Sequence, residues 1–590
     1  MASKIKFLYD TSLQVINTYG LSYFLRIAGY EIKKQGFDLF RNPTLDYLSE
    51  LESKMESQDE LYRRYMNKFN LEISKDILQN KKDLLKIKPK FTVVILTNQK
   101  NFEYINHTIK TIKEQIYSNY EFFLLTDSTL DNSYLNKNKE NFQDVTCITK
   151  ISDIQKNSNG DFICFLQSGD KLSKNALFKI TNHINTNPDS ELIYTDHDFY
   201  DKNNLRRDPF FKPDWSPFLF QSLDYLSTFF IVKKEIFNQT SFDDDSTNMA
   251  YYITRKITEK SKEISHLQLP ICSVNYEYIF YKQKNENKIN SRLQEKIIIH
   301  STHSIPPPKL EINFENEPLV TIIIPTKNNY KILKRCLDSI NQSTLYKNFE
   351  IIVVDNDSTD SELKQYYKSL KYTVLNFNGN FNFSKINNFA VKHAKGDFFL
   401  FLNDDTKVLG KDWLNQLVTI CNQDSVGAVG AKLVFGNSTI QHAGSIILET
   451  GASFHPFQHI FHNSNLHFNF LNVTRECSAV TGACLITKKE VFDGINGFDD
   501  DFDVYYGDTD LCLKIINFGL SVLYTPNVKL LHEGSHSIKS KMNNNTLEKN
   551  QSYFAVENYH RFINKWPKLK NGDPFYNRNL GWDFSIKSVE

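Results

Sequence analysis

No two of the eight cysteines form a C-x-x-C pair. Cys147, Cys164, Cys272, Cys336, Cys421, Cys477, Cys484 and Cys512 are scattered without metal-finger spacing. That excludes a zinc ribbon and a disulfide-built scaffold, and fits reduced, mostly buried thiols of a cytosolic protein. No unbroken apolar run reaches the ~18 residues that a membrane-crossing helix needs, and Met1–Asp10 has no signal-peptide apolar core. The expectation is a chain that is soluble or peripheral to a membrane and does not span one. Charge of one sign is not in excess either: 70 Lys and Arg face 69 Asp and Glu, for a net charge of +1. A nucleic-acid binder carries a basic surplus, so that class is excluded. What is present is 590 residues, 40% hydrophobic and 14% aromatic. This is too long for one core and too apolar for disorder, and it predicts two domains plus an accessory region.

Residues 1–88 show helical periodicity without strand alternation, as in Leu21, Phe24, Leu25, Ala28 and Ile32. Two readings stand. One is a helical region packed on the next domain; the other is an amphipathic membrane-surface helix around Tyr19–Phe40, with Arg26, Lys33, Lys34 and Arg41 beside aromatics. From Phe91 a β-branched run, a helical segment and a second run at Glu121–Leu125 follow, and the same order recurs from Val320 to Asp355. Strand, helix, strand is the pattern of a parallel α/β unit.

The recurrence is an internal duplication. Tyr117-Ser118-Asn119-Tyr120-Glu121 matches Tyr346-Lys347-Asn348-Phe349-Glu350, Gly160-Asp161-Phe162 matches Gly396-Asp397-Phe398, and Lys233-Lys234-Glu235-Ile236-Phe237 matches Lys488-Lys489-Glu490-Val491-Phe492. Three prolines, Pro306-Pro307-Pro308, favour an extended connector between the copies. The expected division is 1–88 helical, 89–300 first copy, 301–318 linker and 319–590 second copy.

The copies differ in their acids. The second carries Asn403-Asp404-Asp405 after a buried strand, Asp355-Asn356-Asp357, a cluster at Asp499–Asp503, Gly507-Asp508-Thr509-Asp510, and then His532. At the corresponding places the first has Gln167-Ser168-Gly169, Thr126-Asp127-Ser128 and Asn248-Met249-Ala250-Tyr251. A divalent cation needs carboxylate oxygens and a general base needs a titratable group, so the chemistry is expected in the second copy only. In an α/β sheet, acids at the carboxyl ends of strands face the ligand crevice.

Residues from about Pro318 to Trp566 resemble glycosyltransferase family 2, of the rhamnosyltransferase-like type found in bacterial polysaccharide assembly. The motifs that carry the resemblance are, in order, Ile324-Pro325-Thr326-Lys327-Asn328, Val353-Val354-Asp355-Asn356-Asp357, Phe401-Leu402-Asn403-Asp404-Asp405-Thr406, Ile440-Gln441-His442-Ala443-Gly444, Val480-Thr481-Gly482-Ala483 and Asp508-Thr509-Asp510-Leu511. The first half resembles the same family through Tyr194-Thr195-Asp196 and Asp208–Pro217, as a degenerate copy.

The fold implied is α/β, with two tandem GT-A-like, Rossmann-like domains and an N-terminal helical region. The activity implied is inverting sugar transfer from a nucleotide-diphosphate donor, UDP- or dTDP-linked, to a glycan or lipid-linked oligosaccharide acceptor, at the inner face of the cytoplasmic membrane or free in the cytoplasm. The resemblance implies Mn²⁺ or Mg²⁺ on Asp405 and His532, with His536 a weaker candidate. It makes Asp508 the base, with the alternative that Asp508 is a helix-start acid, and lines the nucleotide-sugar pocket with Pro325, Thr326, Asp355, Asp357, Asn388 and Asp404. Gln441–Gly444 and Trp413 match family positions but gain no chemistry from it.

Two other classes stand beside this reading. A nucleotidylyltransferase shares the strand order, but it would show a glycine-rich phosphate loop where Ile324–Tyr330 has no glycine. A non-catalytic glycan-binding or assembly scaffold fits the first half better than the acid-rich second, and within the transferase class an enzyme active in both halves is the alternative.

Overall fold

The computed structural model describes residues 58–69, 85–97, 102–126, 145–243, 248–275, 317–462, 464, 468–533, 556–581 and 584–587. The segment Tyr19–Phe40, the proline connector and His536 lie outside the described residues. Among the described residues no helix is long and apolar enough to cross a membrane.

The first sheet contains β1 (Phe91–Thr97), β2 (Tyr120–Thr126), β3 (Val145–Ile148), β4 (Phe162–Gln167), β5 (Lys171–Leu172), β6 (Leu192–Tyr200), β7 (Arg206–Phe210), β8 (Phe229–Lys233) and β9 (Ile264–Asn275), in the order β3-β2-β1-β4-β8-β6-β9-β5 with β7 on β6. The second contains β10 (Val320–Thr326), β11 (Phe349–Asp355), β12 (Thr373–Asn376), β13 (Phe398–Leu402), β14 (Thr406–Val408), β15 (Val426–Val434), β16 (Ile440–His442), β19 (Arg475–Glu476), β20 (Cys484–Lys488) and β21 (Ser521–His532). Its order is β12-β11-β10-β13-β20-β15-β21-β14, with β16 on β15 and β19 on β21. A separate ribbon pairs β17 (Ile446–Ile447) with β18 (Ser453–Phe454). Strand for strand the two main paths are the same, and the parallel and antiparallel pairings also correspond.

The repeated sequence blocks owe their likeness to repeated hydrogen bonds. Tyr117 and Tyr346 donate their hydroxyls to the carbonyls of Pro89 and Pro318 at 2.7 and 2.5 Å. Glu121 and Glu350 accept from the hydroxyls of Thr92 and Thr321 at 2.8 and 2.6 Å. Asp161 and Asp397 accept from the amides of Lys90 and Leu319 at 2.8 and 3.0 Å. A Cβ on Gly160 would meet the Thr92 nitrogen at 2.5 Å, and one on Gly396 the Thr321 nitrogen at 2.6 Å, so only glycine lets the chain pass there. The central strands are buried on both faces, which is why they read as continuous apolar runs and not as alternating ones.

One apolar cluster runs from the first sheet into the second, holding Phe165, Tyr194 and Phe230 together with Phe401, Leu485 and Tyr524. At the joint the Phe210 ring stacks on Phe468, and the Glu476 carboxylate accepts the amides of Phe218 and Leu219 at 2.8 and 3.2 Å, at the start of the helix Pro217–Ser222. The C-terminal segment closes the joint from outside. Asp573 accepts the Ile447 amide at 2.7 Å in the second domain, while Asn577 donates to Asp196, Asn579 donates to the Gln268 carbonyl, and Ile586 enters the core of the first. The last residues, read from the sequence with the second copy, thus pack on the first. The helix Gln58–Lys68 packs there too, its Tyr62 hydroxyl on Asp198 and its Tyr65 ring against Phe211. All eight cysteines are free, and seven are buried.

Burial pushes Glu476 up to about 7, against the opposing pull of the two amides. A carboxyl raised in the folded state binds more protons there than in the unfolded chain, so its share of stability is full at low pH and falls as pH rises through the window from about 4.3 to 7. Glu476→Gln should flatten that part of the stability–pH curve. Glu476→Ala, which strips two buried amides of their acceptor, should cost about 1–3 kcal/mol in chemical denaturation.

Candidate active site

Register brings the acids together. Thr326 ends β10 beside Asp355 at the end of β11, and β13 on the other flank of β10 runs into the turn that holds Asp404 and Asp405. The turn is tied down by Asn403, whose amide donates to the Ala483 carbonyl at 3.1 Å, and by Thr406, whose hydroxyl donates to the Asn403 carbonyl at 2.8 Å. Asp404 accepts the Thr326 hydroxyl at 2.6 Å. Burial, reinforced by the neighbouring charge of Asp405, lifts the Asp404 carboxyl to about 7.

β14 leaves the turn and pairs antiparallel with β21, setting Thr406 opposite His532. That register places His532 Nε2 3.1 Å from Asp405 Oδ1, both side chains about nine-tenths buried. The other ring nitrogen, Nδ1, stands 3.1 Å from Gln441 Oε1. An amide oxygen only accepts, so Nδ1 carries a proton; Nε2 faces the carboxylate, as a donor when the ring is charged and as a lone pair when it is neutral. With the ring neutral, two acceptors at that distance need a proton or a cation between them. Among the described residues no three His, Cys, Asp or Glu side chains converge as a metal cage. A site with two protein ligands suits a cation that completes its shell with phosphate oxygens and water. Beside the pair, Arg335 and Glu533 form an ion pair at 2.5 Å.

Asp508 reaches the same region from the helix Gly507–Asn517, which is entered through Tyr506 in a left-handed conformation (φ 68°). Its Oδ2 accepts the Gly482 amide at 2.9 Å and its Oδ1 the Thr509 amide at 2.8 Å. The preceding amide, Thr481 N–H, points to His442 Nε2 at 3.3 Å, which also takes the Gly444 amide at 3.2 Å. Since Nε2 accepts twice, the His442 proton is on Nδ1 and is donated to His455 Nδ1 at 2.8 Å. Burial, then His455 and Arg475, hold His442 well below the ordinary histidine range. His455 is also held down, by burial, with Asp508 pulling it up and His532 pushing it down, which sets both close to its ring. The segment Thr481–Ala483 therefore joins the Asp404–Asp405 turn to Asp508.

Asp355 accepts from the Tyr367 hydroxyl at 2.9 Å and the Ser358 amide at 3.3 Å. Asp357, left-handed at φ 53°, takes the Gly379 amide at 2.9 Å. Pro325 and Thr326 lie beside them at the end of β10. Asn388 does not join this set. Both ends of its amide are engaged by the loop after Gly497: Nδ2 donates to the Phe498 carbonyl and Asp500, and Oδ1 accepts the Phe498 amide. The Asp499–Asp503 cluster is likewise tied up structurally, Asp499 on Lys565 at 2.5 Å and Asp503 on Asn558 at 2.7 Å. Asp510 binds Trp566 Nε1 and Lys565 and does not cap its helix.

The structure gives Gln441 and His442 the tasks that sequence left blank. His455 had no sequence signal, because only the fold of the loop after β18 brings it to His442. In the first domain the position of Asp405 is Gly169 and that of His532 is Val274, since Lys171 pairs with Ser273 as Lys407 pairs with Leu531.

Residues 321–494 match the profile of glycosyl transferase family 2. This part of the chain is a glycosyl transferase family 2 domain. The chain is 29% identical over 523 residues to the O-antigen biosynthesis protein RfbC of Myxococcus xanthus, covering 84% of this chain and 40% of that protein. It is 30% identical to the uncharacterized protein y4gI of Sinorhizobium fredii, over 73% of this chain and 50% of the relative. Against the rhamnosyltransferase WbbL of Escherichia coli the identity is 24%, over 38% of this chain and 86% of that protein. The chain thus spans half or less of the two relatives that cover most of it, while the match to WbbL is shorter than one of the two copies.

Removing the His442 ring strips the Thr481 and Gly444 amides of their acceptor. His442→Ala should speed amide hydrogen exchange at Thr481 and Gly482 and cost about 2 kcal/mol or more in stability, measured by exchange mass spectrometry and chemical denaturation.

Proposed function

We propose that the chain is an inverting glycosyltransferase that moves a sugar from a nucleotide-diphosphate donor, UDP- or dTDP-linked, to a hydroxyl of a growing bacterial surface polysaccharide or a lipid-linked glycan. The observation that carries the reading is the gathering of Asp405, which lies within the family 2 match, with Asp508 and His532, which follow it in the chain, around Thr481–Ala483.

Asp508 takes the proton from the acceptor hydroxyl as its oxygen bonds to the anomeric carbon, and the bond to the nucleoside diphosphate breaks on the opposite face. The Gly482 amide and the helix start hold the carboxylate still for that transfer. Thr326, Asp355, Asp357 and Asp404, with Pro325 beside them, line the donor side. Asp405 and His532 would hold the divalent cation, Mn²⁺ or Mg²⁺, which when bound neutralises charge on the leaving diphosphate. The first domain, with Gly169 and Val274 at the positions of the metal ligands and Ala250 at the second residue of the helix that corresponds to Gly507–Asn517, serves acceptor binding or assembly without chemistry of its own. A lipid-linked acceptor would bring the protein to the inner face of the cytoplasmic membrane as a peripheral partner.

A donor screen that follows nucleoside-diphosphate release should find turnover with Mn²⁺ and none with chelator. Asp508→Asn should lower transfer by roughly 10²–10⁴-fold while donor binding, measured calorimetrically, stays within about twofold of wild type. Full activity in that variant removes the base assignment. His532→Ala should weaken Mn²⁺-dependent nucleotide binding and leave metal-free binding unchanged.

A further inference from the structure

Away from the carboxylates of the site, a cavity of about 360 Å³ opens where β14, β15 and β21 meet, lined by Leu409, Gly410, Lys432, His462, Asn472 and Lys529. Lys432 is the unusual member. It lies on a core strand between Ala431 and Leu433 and is only 4% exposed. Its ammonium donates to two neutral oxygens, the His462 carbonyl at 2.8 Å and Asn472 Oδ1 at 3.2 Å. No carboxylate lines the cavity among the described residues, and the charged group felt by Lys432 is a second cation, Lys529, its cross-strand partner. A buried charge is ordinarily kept with an opposite charge, because desolvation is costly without one.

The duplicated fold shows what the place is built for. Val232 joins Ile163 and Leu192 in the first sheet, and Thr487 joins Phe399 and Ala428 in the second. Leu192 thus corresponds to Ala428, and four residues on, Asp196 corresponds to Lys432. Both sit at the same irregularity, the register slip between β6 and β9 at Thr195/Asp196 and the one between β15 and β21 at Ala431/Lys432. In the first domain that buried charge is fully met. Asp196 takes His266 Nε2 at 2.9 Å, the Lys212 amide at 2.8 Å and, from the C-terminal segment, Asn577 Nδ2 at 3.2 Å. In the second domain the sign is inverted, and the same place is an open cavity.

We propose that this cavity is an oxyanion site, taking a phosphate or phosphate ester on Lys432 and Lys529, with Asn472 and His462 at its wall. Burial and the repulsion of Lys529 push Lys432 down to about 8, and an anion between the two ammonium groups relieves both. The site is separate from the donor pocket and stands whether or not the proposed transfer is correct. Lys529 lies on the strand that ends in His532, so a phosphate on a soluble glycan or on a lipid headgroup would be held on an element shared with the proposed metal site.

The test uses the full chain with chelator present, its melting temperature titrated with inorganic phosphate. Wild type is expected to gain stability with a saturating response. Lys432→Met is expected to melt higher than wild type without phosphate, because a cation lacking a counter-charge has gone, and its half-saturating phosphate should rise roughly tenfold or more, the loss of a charge-assisted hydrogen bond. Equal phosphate responses in the two proteins, or none in wild type, overturn the proposal. If Lys432→Met does not fold, Lys529→Gln decides: a raised half-saturating concentration supports the site and an unchanged one overturns it. Flotation with phosphatidic acid vesicles separates the sources. Vesicle binding lost in Lys432→Met assigns a lipid headgroup, and a phosphate response without vesicle binding assigns a soluble phosphate.

Discussion

The constraint on which the site depends is the antiparallel register between β14 and β21. By setting Thr406 opposite His532 it forces Asp405 Oδ1 and His532 Nε2 to within 3.1 Å. Gln441 accepts the Nδ1 hydrogen bond from behind, which leaves Nε2 to face the carboxylate. With the ring neutral, such a pair is unfavourable alone and favourable around a positive charge, and the fold pins it in place. A slip of one residue would turn His532 to the other face of the sheet and dissolve the arrangement.

The histidines and the loop Thr481–Gly482 carry that rigidity to Asp508. Consecutive amides point to different acceptors, one to His442 and the next to Asp508, so the carboxylate is located by backbone held from behind. A Cβ on Gly482 would lie 2.7 Å from the tip of the Phe383 ring, so a larger residue there displaces that ring.

The duplication shows which parts of the fold are scaffold and which are chemistry. The Tyr, Asn, Glu and Gly-Asp blocks make the same hydrogen bonds in both halves, which is why they persist in both sequences. The positions that differ, Asp405 against Gly169 and His532 against Val274, lie at the strand ends. The first domain spends its own buried charges on the joint: Asp196 and His266, with Asp214, anchor the C-terminal segment. There burial lowers His266, and its two carboxylate partners outweigh that and raise it.

From the amino-acid order alone, the two α/β units, their duplication and the acids at the ends of β11 and β13 were legible, because apolar runs and their polar terminators are local patterns. Asp508 and His532 could be named through resemblance, as could Gln441 and His442, but the last two had no task, because a hydrogen bond across 91 or 39 residues leaves no periodic trace. Asn388 and the Asp499–Asp503 run looked like site residues for the same reason. Acids and amides read alike whether they face a ligand or a neighbouring lysine, and only packing sent them to Lys565, Asn558 and the Phe498 backbone. The tertiary structure alone decided the Asp405–His532 pairing, the His442–His455 link, the return of the C-terminal segment to the first domain, and the sign inversion that puts Lys432 where the first domain has Asp196. Each depends on strand register between distant segments, and sequence fixes register only through the whole fold.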